Sequence, residues 1–156
     1  MHNQGNEFII RRAIIEDLPA IVRMLADDEL GQTREDISTP LNQNYLSAFE
    51  TIDKNSQCEL LVVEYQENII GTAQVDYLTC ISYQGACRAQ IENVRIDKNY
   101  RSQGLGQKFI SAIIDKARNH GCHFVQLTTN KQRHAAKRFY EKLGFKASHE
   151  GMKLVL

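Results

Sequence analysis

Tryptophan is absent from this chain of 156 residues, and proline and glycine are scarce, with 2 and 9 residues. Because so few residues of the linker-forming types are present, the sequence offers no low-complexity linker between domains. The hydrophobic fraction of 42% and the charged fraction of 24% are ordinary for a globular protein, which excludes a disordered or fibrous chain. We therefore expect one domain over residues 8–156, preceded by a short polar segment at residues 1–7.

Long hydrophobic runs are missing as well. The longest apolar stretches cover only a few residues, such as Leu60–Val63, so the sequence predicts no transmembrane helix and no membrane partner. The polar residues at the start contain no apolar segment of signal-peptide length. We therefore expect that the protein is not secreted and works in the cytoplasm.

The four cysteines lack the two-residue spacing of metal knuckles and redox motifs. They are Cys58, Cys80, Cys87 and Cys122. In a cytoplasmic protein we expect them to be reduced, partly buried thiols. Cys122 lies between two histidines, but a second ligand pair with matching spacing is missing, so no metal is predicted.

The formal net charge of zero conceals a division between the two halves of the chain. Residues 1–78 carry 5 Lys and Arg against 14 Asp and Glu, whereas residues 79–156 carry 14 against 5. One interpretation is two differently solvated faces of one domain. The other is that the second half binds an anion and the first half attracts a cation. The basic half shows no nucleic-acid-binding motif, so no nucleic-acid partner is expected.

Hydrophobic periodicity predicts strands and helices in a definite order. The expected elements are a strand over 8–12, a helix from Asp17 to about Leu30, a helix starting at Thr39 and Pro40, strands at 59–65 and 69–79, a strand at 88–97, a helix from Leu105 to Gly121, a strand at 123–129, a helix at 135–144 and a final strand or hairpin at 145–156. An early hairpin followed by strand–helix–strand–helix predicts an α+β fold with a mixed sheet flanked by helices.

The most informative stretch is Arg101-x-x-Gly104-x-Gly106, between a predicted strand and a predicted helix. Glycine lets a ligand approach the backbone, and the free N–H groups of the helix start favour an anion. Arg101 adds planar donors, so the segment suits a pyrophosphate. It is not a Walker A loop, since no Gly-Lys-Ser/Thr follows, and Phe109 stands where a dinucleotide fingerprint needs its third glycine. A plain strand-to-helix turn stays open as the alternative.

Four segments of the second half occur together in one order. They are Ile91-Glu92-Asn93-Val94-Arg95-Ile96, then Arg101-Ser102-Gln103-Gly104-Leu105-Gly106, then Asn130, and then Ala136-Lys137-Arg138-Phe139-Tyr140-Glu141-Lys142-Leu143-Gly144-Phe145. Together these segments resemble the Gcn5-related N-acetyltransferase (GNAT) superfamily, most clearly over residues 88–146. The resemblance implies the acyl-CoA N-acyltransferase fold, a mixed, mostly antiparallel central sheet with a splayed parallel strand pair at 88–97 and 123–129, flanked by helices.

The resemblance also implies a cosubstrate, acetyl-CoA, bound where those two strands splay apart, without a metal. Backbone groups of Val94 and Ile96 would bind the pantetheine arm and the acetyl carbonyl, and the Asn130 side chain would meet the pantetheine. Lys137 would reach the 3′-phosphate, and Tyr140 would lie near the sulfur. The pyrophosphate would lie beside Arg101, on the backbone amides of Ser102, Gln103, Gly104, Leu105, Gly106 and Gln107. A homodimer is implied as a possible assembly.

Glu92 is the predicted general base and Tyr140 the predicted general acid. On simple alternation Glu92 shares a strand face with Val94 and Ile96, an apolar setting that makes a carboxylate more basic. Pairing with Arg88 is the alternative for Glu92, and a bulge would invert its facing. Tyr140 falls on the apolar stripe of the last helix, where it either protonates the departing thiolate or packs as an ordinary aromatic residue.

The acceptor is the least determined part of the predicted site. The loop after the first helix carries five carboxylates, which are Asp27, Asp28, Glu29, Glu35 and Asp36. An acidic mouth favours a cationic amine, although an exposed polar loop explains the same residues. Asp76, Tyr77 and Tyr83 are further candidates for the acceptor side. We expect an N-acetyltransferase for a primary amine of a small-molecule or amino-acid-like acceptor. A protein lysine or N-terminal acetyltransferase and a non-catalytic acyl-CoA-binding module remain open.

Overall fold

The computed structural model describes residues 8–156, whose five strands form one mixed sheet. The strands are β1 (Ile9–Arg12), β2 (Cys58–Tyr65), β3 (Asn68–Thr79), β4 (Cys87–Ile96) and β5 (Cys122–Leu127). They lie side by side in chain order, antiparallel from β1 to β4 and parallel between β4 and β5. The expected α+β class with a mixed, mostly antiparallel sheet is confirmed.

Helices cover the sheet and connect its strands. They are α1 (Leu18–Ala26), α2 (Glu29–Gln32), α3 (Gln43–Lys54), the single turn α4 (Ser82–Gly85), α5 (Leu105–Asn119) and α6 (His134–Lys142). Short 3-10 turns at Ile15–Asp17 and Lys98–Tyr100 precede α1 and α5. Within residues 8–156, every helix is too short or too polar to cross a membrane.

The sheet buries both of its faces, and the two cores use different helices. The spacing of Phe109, Ile110 and Ile113 places them on one side of α5, and all three are fully buried against one face of the sheet. Leu18 of α1 and Phe49 of α3 pack against the opposite face. Burial of one such side chain contributes about 1.5–3 kcal/mol to the free energy of folding. The packing of both helix layers therefore stabilises the sheet whose strands carry the site.

The first helix is shorter than the sequence predicts. It ends at Ala26 rather than near Leu30, and a separate one-turn helix, α2, follows. The cause is Asp28, whose carboxylate accepts a hydrogen bond from the Gly31 amide (2.6 Å) and so begins a new helix. The break places Asp28 between α1 and α2, where its side chain contacts residues from the second half of the sequence.

The next helix starts later than expected. The sequence places its start at Thr39 and Pro40, whereas α3 begins at Gln43. The Asn42 side chain accepts a hydrogen bond from the Asn44 amide (2.9 Å), which satisfies one of the free N–H groups at the helix start. Asn42 is therefore the N-cap of α3, and the predicted start of the helix did not take it into account.

The final strand or hairpin predicted for residues 145–156 is wrong, because no residue after Lys142 lies in a helix or strand. Gly151 passes beside Thr128, just beyond β5. The last apolar side chains are between 86% and 111% exposed, and they are Met152, Leu154, Val155 and Leu156. Since β5 is the edge of the sheet within residues 8–156, an apolar tail and an open strand edge occur in the same region.

Candidate active site

Strands β4 and β5 run together for only part of their length. Their paired residues extend from Cys87 and Cys122 to Ile91 and Leu127, whereas β4 continues to Ile96. Because the partner strand ends first, one side of the β4 backbone at residues 92–96 faces an open cleft within the described chain. The splayed parallel pair expected at 88–97 and 123–129 is therefore present.

A β-bulge in β4 decides which side chains lie at that cleft. Glu92 lies opposite Gln74 of β3 and Arg95 opposite Thr72, so two residues of β4 oppose a single residue of β3. Asn93 lies in the bulge and has a left-handed φ of 56°. Because Thr72 and Gln74 point to the same side of the sheet, their partners Glu92 and Arg95 share that side.

The strand facing predicted for Glu92 is therefore wrong. Val94 and Ile96 pack against the core beneath α5, whereas Glu92 lies on the side of α1 and α3. Its half-buried carboxylate accepts a hydrogen bond from Gln90 Nε2 (2.9 Å). Within residues 8–156 no ion pair joins Glu92 to Arg88, the partner considered as the alternative. The role of Glu92 as a general base stays a prediction.

Polar side chains continue from Glu92 along the same side of the sheet. Gln90 lies opposite Asp76 in the β3–β4 ladder, and Glu92 lies opposite Gln74. Gln74 Nε2 also donates a hydrogen bond to the Asp76 carboxylate (3.0 Å). This half-buried polar row places Asp76, one of the acceptor-side candidates, on the face that also carries Glu92.

The other two acceptor-side candidates lie away from the cleft. Tyr77 is only 5% exposed and stacks on the His120 ring, with 3.8 Å between ring centroids. Burial, followed by the neighbouring Glu59 charge, raises its pKa. Tyr83 is exposed in α4 and contacts the Phe124 ring edge-on (5.5 Å). Both lie near the beginning of β5, whereas the cleft opens beyond its end.

The loop before α5 has the backbone geometry of an anion site. Ser102 and Gly104 have left-handed φ angles of 63° and 76°, and no atom lies within 4 Å of the position that a Gly104 Cβ would take. Gly104 is the N-cap of α5, so the first amides of the helix have no acceptor inside the helix. These amides and the helix dipole favour a bound anion. An open groove of about 540 Å³ extends from Gly104 along α5.

The two other motif residues of this loop have packing and tethering roles. A Cβ on Gly106 would lie 3.3 Å from the Phe139 ring, so this glycine lets α6 approach α5 closely. Arg101 Nε donates a hydrogen bond to the Ile96 carbonyl (2.9 Å), and Arg101 Nη2 lies 3.4 Å from the Asp27 carboxylate. The guanidinium thus ties the loop to the end of β4 while 49% of the side chain stays exposed.

Tyr140 presents a hydroxyl at the edge of the core. Its ring packs edge-on against Phe139 (5.2 Å) and Phe145 (5.7 Å). Burial raises the pKa of the hydroxyl, and the positive charges of Arg95 and Arg133 oppose that rise. Among residues 8–156 the hydroxyl has no hydrogen-bond partner, so it is available to a ligand.

Asn130 and Lys137, the other side chains expected at acetyl-CoA, already have protein partners. Asn130 Oδ1 accepts a hydrogen bond from the Gln132 amide (2.9 Å), which leaves the Asn130 Nδ2 group for a ligand. Lys137 lies 3.9 Å from Glu141 on an exposed part of α6. The contacts expected for these two residues stay predictions.

Sequence reasoning missed a pair of arginines beside the cleft. Arg133 forms an ion pair with Asp28, and Arg95 Nη2 lies 3.9 Å from the same carboxylate oxygen. Burial and the charge of Arg133 lower the pKa of Arg95. Burial opposes the ionised form of Asp28, but the Gly31 amide and the two arginines together lower its pKa. The sequence signal that could have indicated this position of Arg95 is Asn93, the residue of the bulge. Asparagine is rare inside strands and common at left-handed φ angles, so its presence in β4 is typical of a bulge.

Ion pairs within the described chain neutralise two of the five carboxylates of the acidic loop, Asp27 and Asp28. Four of its five carboxylates have partners within the described chain. The partners are Lys98 and Arg101 for Asp27, Arg133 and Arg95 for Asp28, the Tyr45 hydroxyl for Glu35, and the Ser38 amide and Asn42 side chain for Asp36. The charge division of the sequence therefore appears in the fold as ion pairs between the halves. Glu35 and Asp36 accept hydrogen bonds from neutral groups, which do not cancel a carboxylate charge, so an acidic mouth at these two positions stays a prediction.

Comparisons with known proteins agree with this geometry. A family model described as "Acetyltransferase (GNAT) family" matches residues 21–145. A glucosamine 6-phosphate N-acetyltransferase of Trypanosoma brucei brucei is 34% identical over 88 residues, 56% of this chain and 58% of that protein. The L-amino acid N-acyltransferase MnaT of Escherichia coli (strain K12) is 27% identical over 84 residues, 54% of this chain and 49% of that protein. The match thus spans about half the length of each relative.

The chain is also similar to a solved structure over nearly its full length. The crystal structure of a transcriptional regulator from Bacillus halodurans C-125 superimposes with a TM-score of 0.93 at 47% sequence identity. The superposition covers 96% of this chain and 100% of the other.

Proposed function

Because the chain belongs to the GNAT acetyltransferase family, we propose that it transfers an acetyl group directly from acetyl-CoA to a primary amine of a small-molecule or amino-acid-like acceptor. The observation that supports this most is the cleft where β4 continues beyond β5, next to the anion-binding start of α5. A thioester attached to a pyrophosphate needs these two features side by side. The relatives named above are N-acetyl- and N-acyltransferases, and both are named for acceptors that carry an acid group besides the amine.

Acetyl-CoA binding in this proposal depends mainly on the backbone. The amides of residues 102–107 hold the pyrophosphate, because they are the free donors of the loop and of the first turn of α5. Arg101 lies beside them with half of its side chain exposed. Backbone groups of Val94 and Ile96 line the open side of β4 for the pantetheine arm, and Asn130 Nδ2 supplies a further donor.

Acetyl-CoA supplies an acetyl group that is already activated as a thioester. Glu92 takes the proton from the protonated amine, directly or through a water molecule, since only the neutral amine attacks. Beyond Ile91 the backbone of β4 has no β5 partner within the described chain, and one amide of this open segment holds the negative charge that develops on the carbonyl oxygen. As the new carbon–nitrogen bond forms and the carbon–sulfur bond breaks, Tyr140 delivers its proton to the sulfur, and the proton that the attacking nitrogen must lose restores the phenol through solvent. A phenol keeps its proton at neutral pH at its ordinary pKa, and burial raises the pKa of Tyr140 further.

A panel of amines and peptides, assayed by the release of the CoA thiol, tests this function. We expect turnover with at least one class of small primary amine and lower rates with peptides that carry a free lysine or N-terminus. Faster turnover of the peptides would instead identify a protein acetyltransferase. Acetyl-CoA binding in calorimetry without turnover of any acceptor would contradict the proposal and support a non-catalytic acyl-CoA-binding module.

We also propose that the protein forms a homodimer through its C-terminal tail. Residues 152–156 expose four apolar side chains, and burying each of them contributes about 1.5–3 kcal/mol. The tail passes Thr128 and is exposed from Met152 onward, whereas the outer edge of β5 offers unpaired backbone groups within the described chain. If the tail of a second copy added a strand to β5, it would bury its apolar side chains and pair the backbone groups at the edge of β5.

Light scattering tests this assembly. We expect a dimer for the full chain and a monomer after deletion of residues 152–156. Leu154→Lys should have the same effect as the deletion, because a charge cannot enter the paired interface, whereas Lys153→Ala should leave the dimer intact. A monomeric full-length chain, or a deletion variant that stays dimeric, would show that the tail does not join two copies.

A further inference from the structure

Two arginines and one aspartate form a cluster at the cleft, and the charge of this cluster is positive. Arg133 forms an ion pair with Asp28, and Arg95 Nη2 lies 3.9 Å from the same carboxylate oxygen. The side chains of Arg95, Arg133 and Asp28 are 19%, 27% and 32% exposed, so solvent screens their charges only in part. One carboxylate thus serves two guanidinium groups.

Arg95 is the incompletely satisfied member of the cluster. Its Nη1 donates a hydrogen bond to the Val94 carbonyl (2.8 Å), but its Nε is buried without a hydrogen-bond partner among residues 8–156. A buried donor without an acceptor is unfavourable, and native proteins rarely keep one without a ligand or a water molecule. The guanidinium fork suits the paired oxygens of a carboxylate or phosphate.

The position of the cluster relates it to the acceptor. Arg95 lies on the same side of β4 as Glu92, because the bulge at Asn93 brings both side chains to the face of α1 and α3. The two residues are separated by about 10 Å of strand or less. The pyrophosphate has a separate candidate site at Arg101 and the start of α5. The cluster is therefore a second anion site, on the side of the predicted base.

We propose that Arg95 and Arg133 bind the acid group of the acceptor, a carboxylate or a phosphate, and so orient its primary amine for acetylation. This inference rests on the proposed acetyl transfer and names the class of acceptor, amines that carry an acid group. Asp28 holds Arg133 in position through their ion pair. The incoming oxyanion neutralises the remaining positive charge of the cluster through the accessible parts of the two guanidinium groups.

Matched pairs of acceptors test the proposal and separate the two possible acid groups. One arm compares glucosamine 6-phosphate with glucosamine, and the other compares L-phenylalanine and L-methionine with the amines that lack their carboxylate. We expect kcat/KM to be at least 10-fold higher for the acid-bearing member in one arm, which identifies the acid group. Equal kcat/KM within every pair would overturn the proposal without affecting the proposed acetyl transfer.

Arg133→Gln tests whether the cluster causes that preference. This variant should lower kcat/KM at least 10-fold for the acid-bearing acceptor, mainly through KM, and less than about 3-fold for its acid-free partner. Arg118→Gln is the control, because Arg118 pairs with Asp115 on an exposed part of α5 and should leave both values unchanged. An equal loss for both members of a pair, or a weaker acetyl-CoA affinity in calorimetry, would show that the cluster does not serve the acceptor's acid group.

Binding of inorganic phosphate supplies a readout that does not require turnover. Calorimetry should show weaker phosphate binding to Arg133→Gln than to the wild type in the presence of saturating CoA, which fills the pyrophosphate site. The same affinity in both proteins would overturn the proposal. Circular dichroism checks that the variant is folded, and Arg133→Lys, which keeps the charge but loses the planar fork, replaces it if it is not.

Discussion

Tyr140 and Glu92 are the residues whose chemistry can be tested one side chain at a time. They lie on different structural layers, since Tyr140 belongs to α6 and Glu92 to the opposite side of the sheet. A proton donor and a proton acceptor placed on different layers can act on the two reactants separately. A phenol is protonated at neutral pH at its ordinary pKa, so Tyr140 holds the proton that a donor needs, and the rise of its pKa caused by burial leaves that proton in place.

Tyr140→Phe should lower kcat by about 10-fold to 10³-fold, because it removes the proton donor while general acid catalysis contributes up to about 10⁴-fold. The ring contacts with Phe139 and Phe145 remain, so the affinity for acetyl-CoA should change little. Steady-state kinetics and calorimetry check the two parts. Weaker acetyl-CoA binding at unchanged kcat would mean that the hydroxyl only positions the cosubstrate.

Glu92→Gln should lower the rate at neutral pH by about 10²-fold or more, because the amide keeps the size of the side chain and removes the base. The loss should shrink as the pH rises, since the free amine then becomes abundant without a base. A pH profile of kcat/KM measures this, with Glu50→Gln, on an exposed part of α3, as the control. An equal loss at every pH would assign Glu92 a positioning role.

At the scale of the elements, the loop before α5 makes a sharp prediction because a second glycine provides its control. Gly104→Val and Gly121→Val both place a side chain at a left-handed φ, 76° and 82°, with no atom within 4 Å of the new Cβ. Both substitutions should cost at least about 1–2 kcal/mol of stability. Only Gly104→Val should block the pyrophosphate, so calorimetry should show weaker acetyl-CoA binding for that variant alone. Unchanged affinity would place the cosubstrate elsewhere.

The thiols of the sheet should differ in reactivity. Burial, assisted by the neighbouring Cys87 thiol 3.2 Å away, raises the pKa of Cys122 to about 12, and burial followed by Asp76 raises the pKa of Cys58 to about 12. At pH 8 only about 10⁻⁴ of each thiol is ionised, and the thiolate is the reactive form. Iodoacetamide should therefore label Cys80 before Cys58 and Cys122, as mass spectrometry can show. Labelling of Cys58 or Cys122 before Cys80 would contradict this.

Elements marked by hydrophobic periodicity or by glycines could be predicted from the sequence. Features that depend on how two strands pair could not. The apolar stripe of Phe109 and Ile113 identified α5, and the glycines identified the loop before it. The side of the sheet taken by Glu92 could not be predicted, because the bulge at Asn93 is a property of two strands in register. The tail also lacks a partner within the described chain, so its strand-like composition does not produce a strand.

At the scale of the whole molecule, the charge division has a structural meaning that composition could not reveal. Carboxylates of the first half meet basic groups of the second half at Asp27 and Arg101, and again at Glu59 and Lys116 (3.3 Å). The arginine cluster could not be predicted either, because its three residues are far apart in the sequence and only the fold joins them. Arg101 and the pair of Arg95 and Arg133 are the basic groups that lie where anionic reactants are proposed to bind.

The last prediction concerns salt. Arg101 is 49% exposed and shares the Asp27 carboxylate with Lys98, so the electrostatic part of acetyl-CoA binding should be open to screening. The screening length falls from about 10 Å at 0.1 M salt to about 3 Å at 1 M, which should weaken acetyl-CoA binding as NaCl is raised. Arg101→Gln should bind acetyl-CoA more weakly at low salt and show a smaller salt dependence, whereas the control Arg118→Gln should keep the wild-type slope. Calorimetry at several NaCl concentrations measures both slopes. A flat wild-type dependence would mean that the backbone amides alone hold the pyrophosphate and that the basic half attracts no anion.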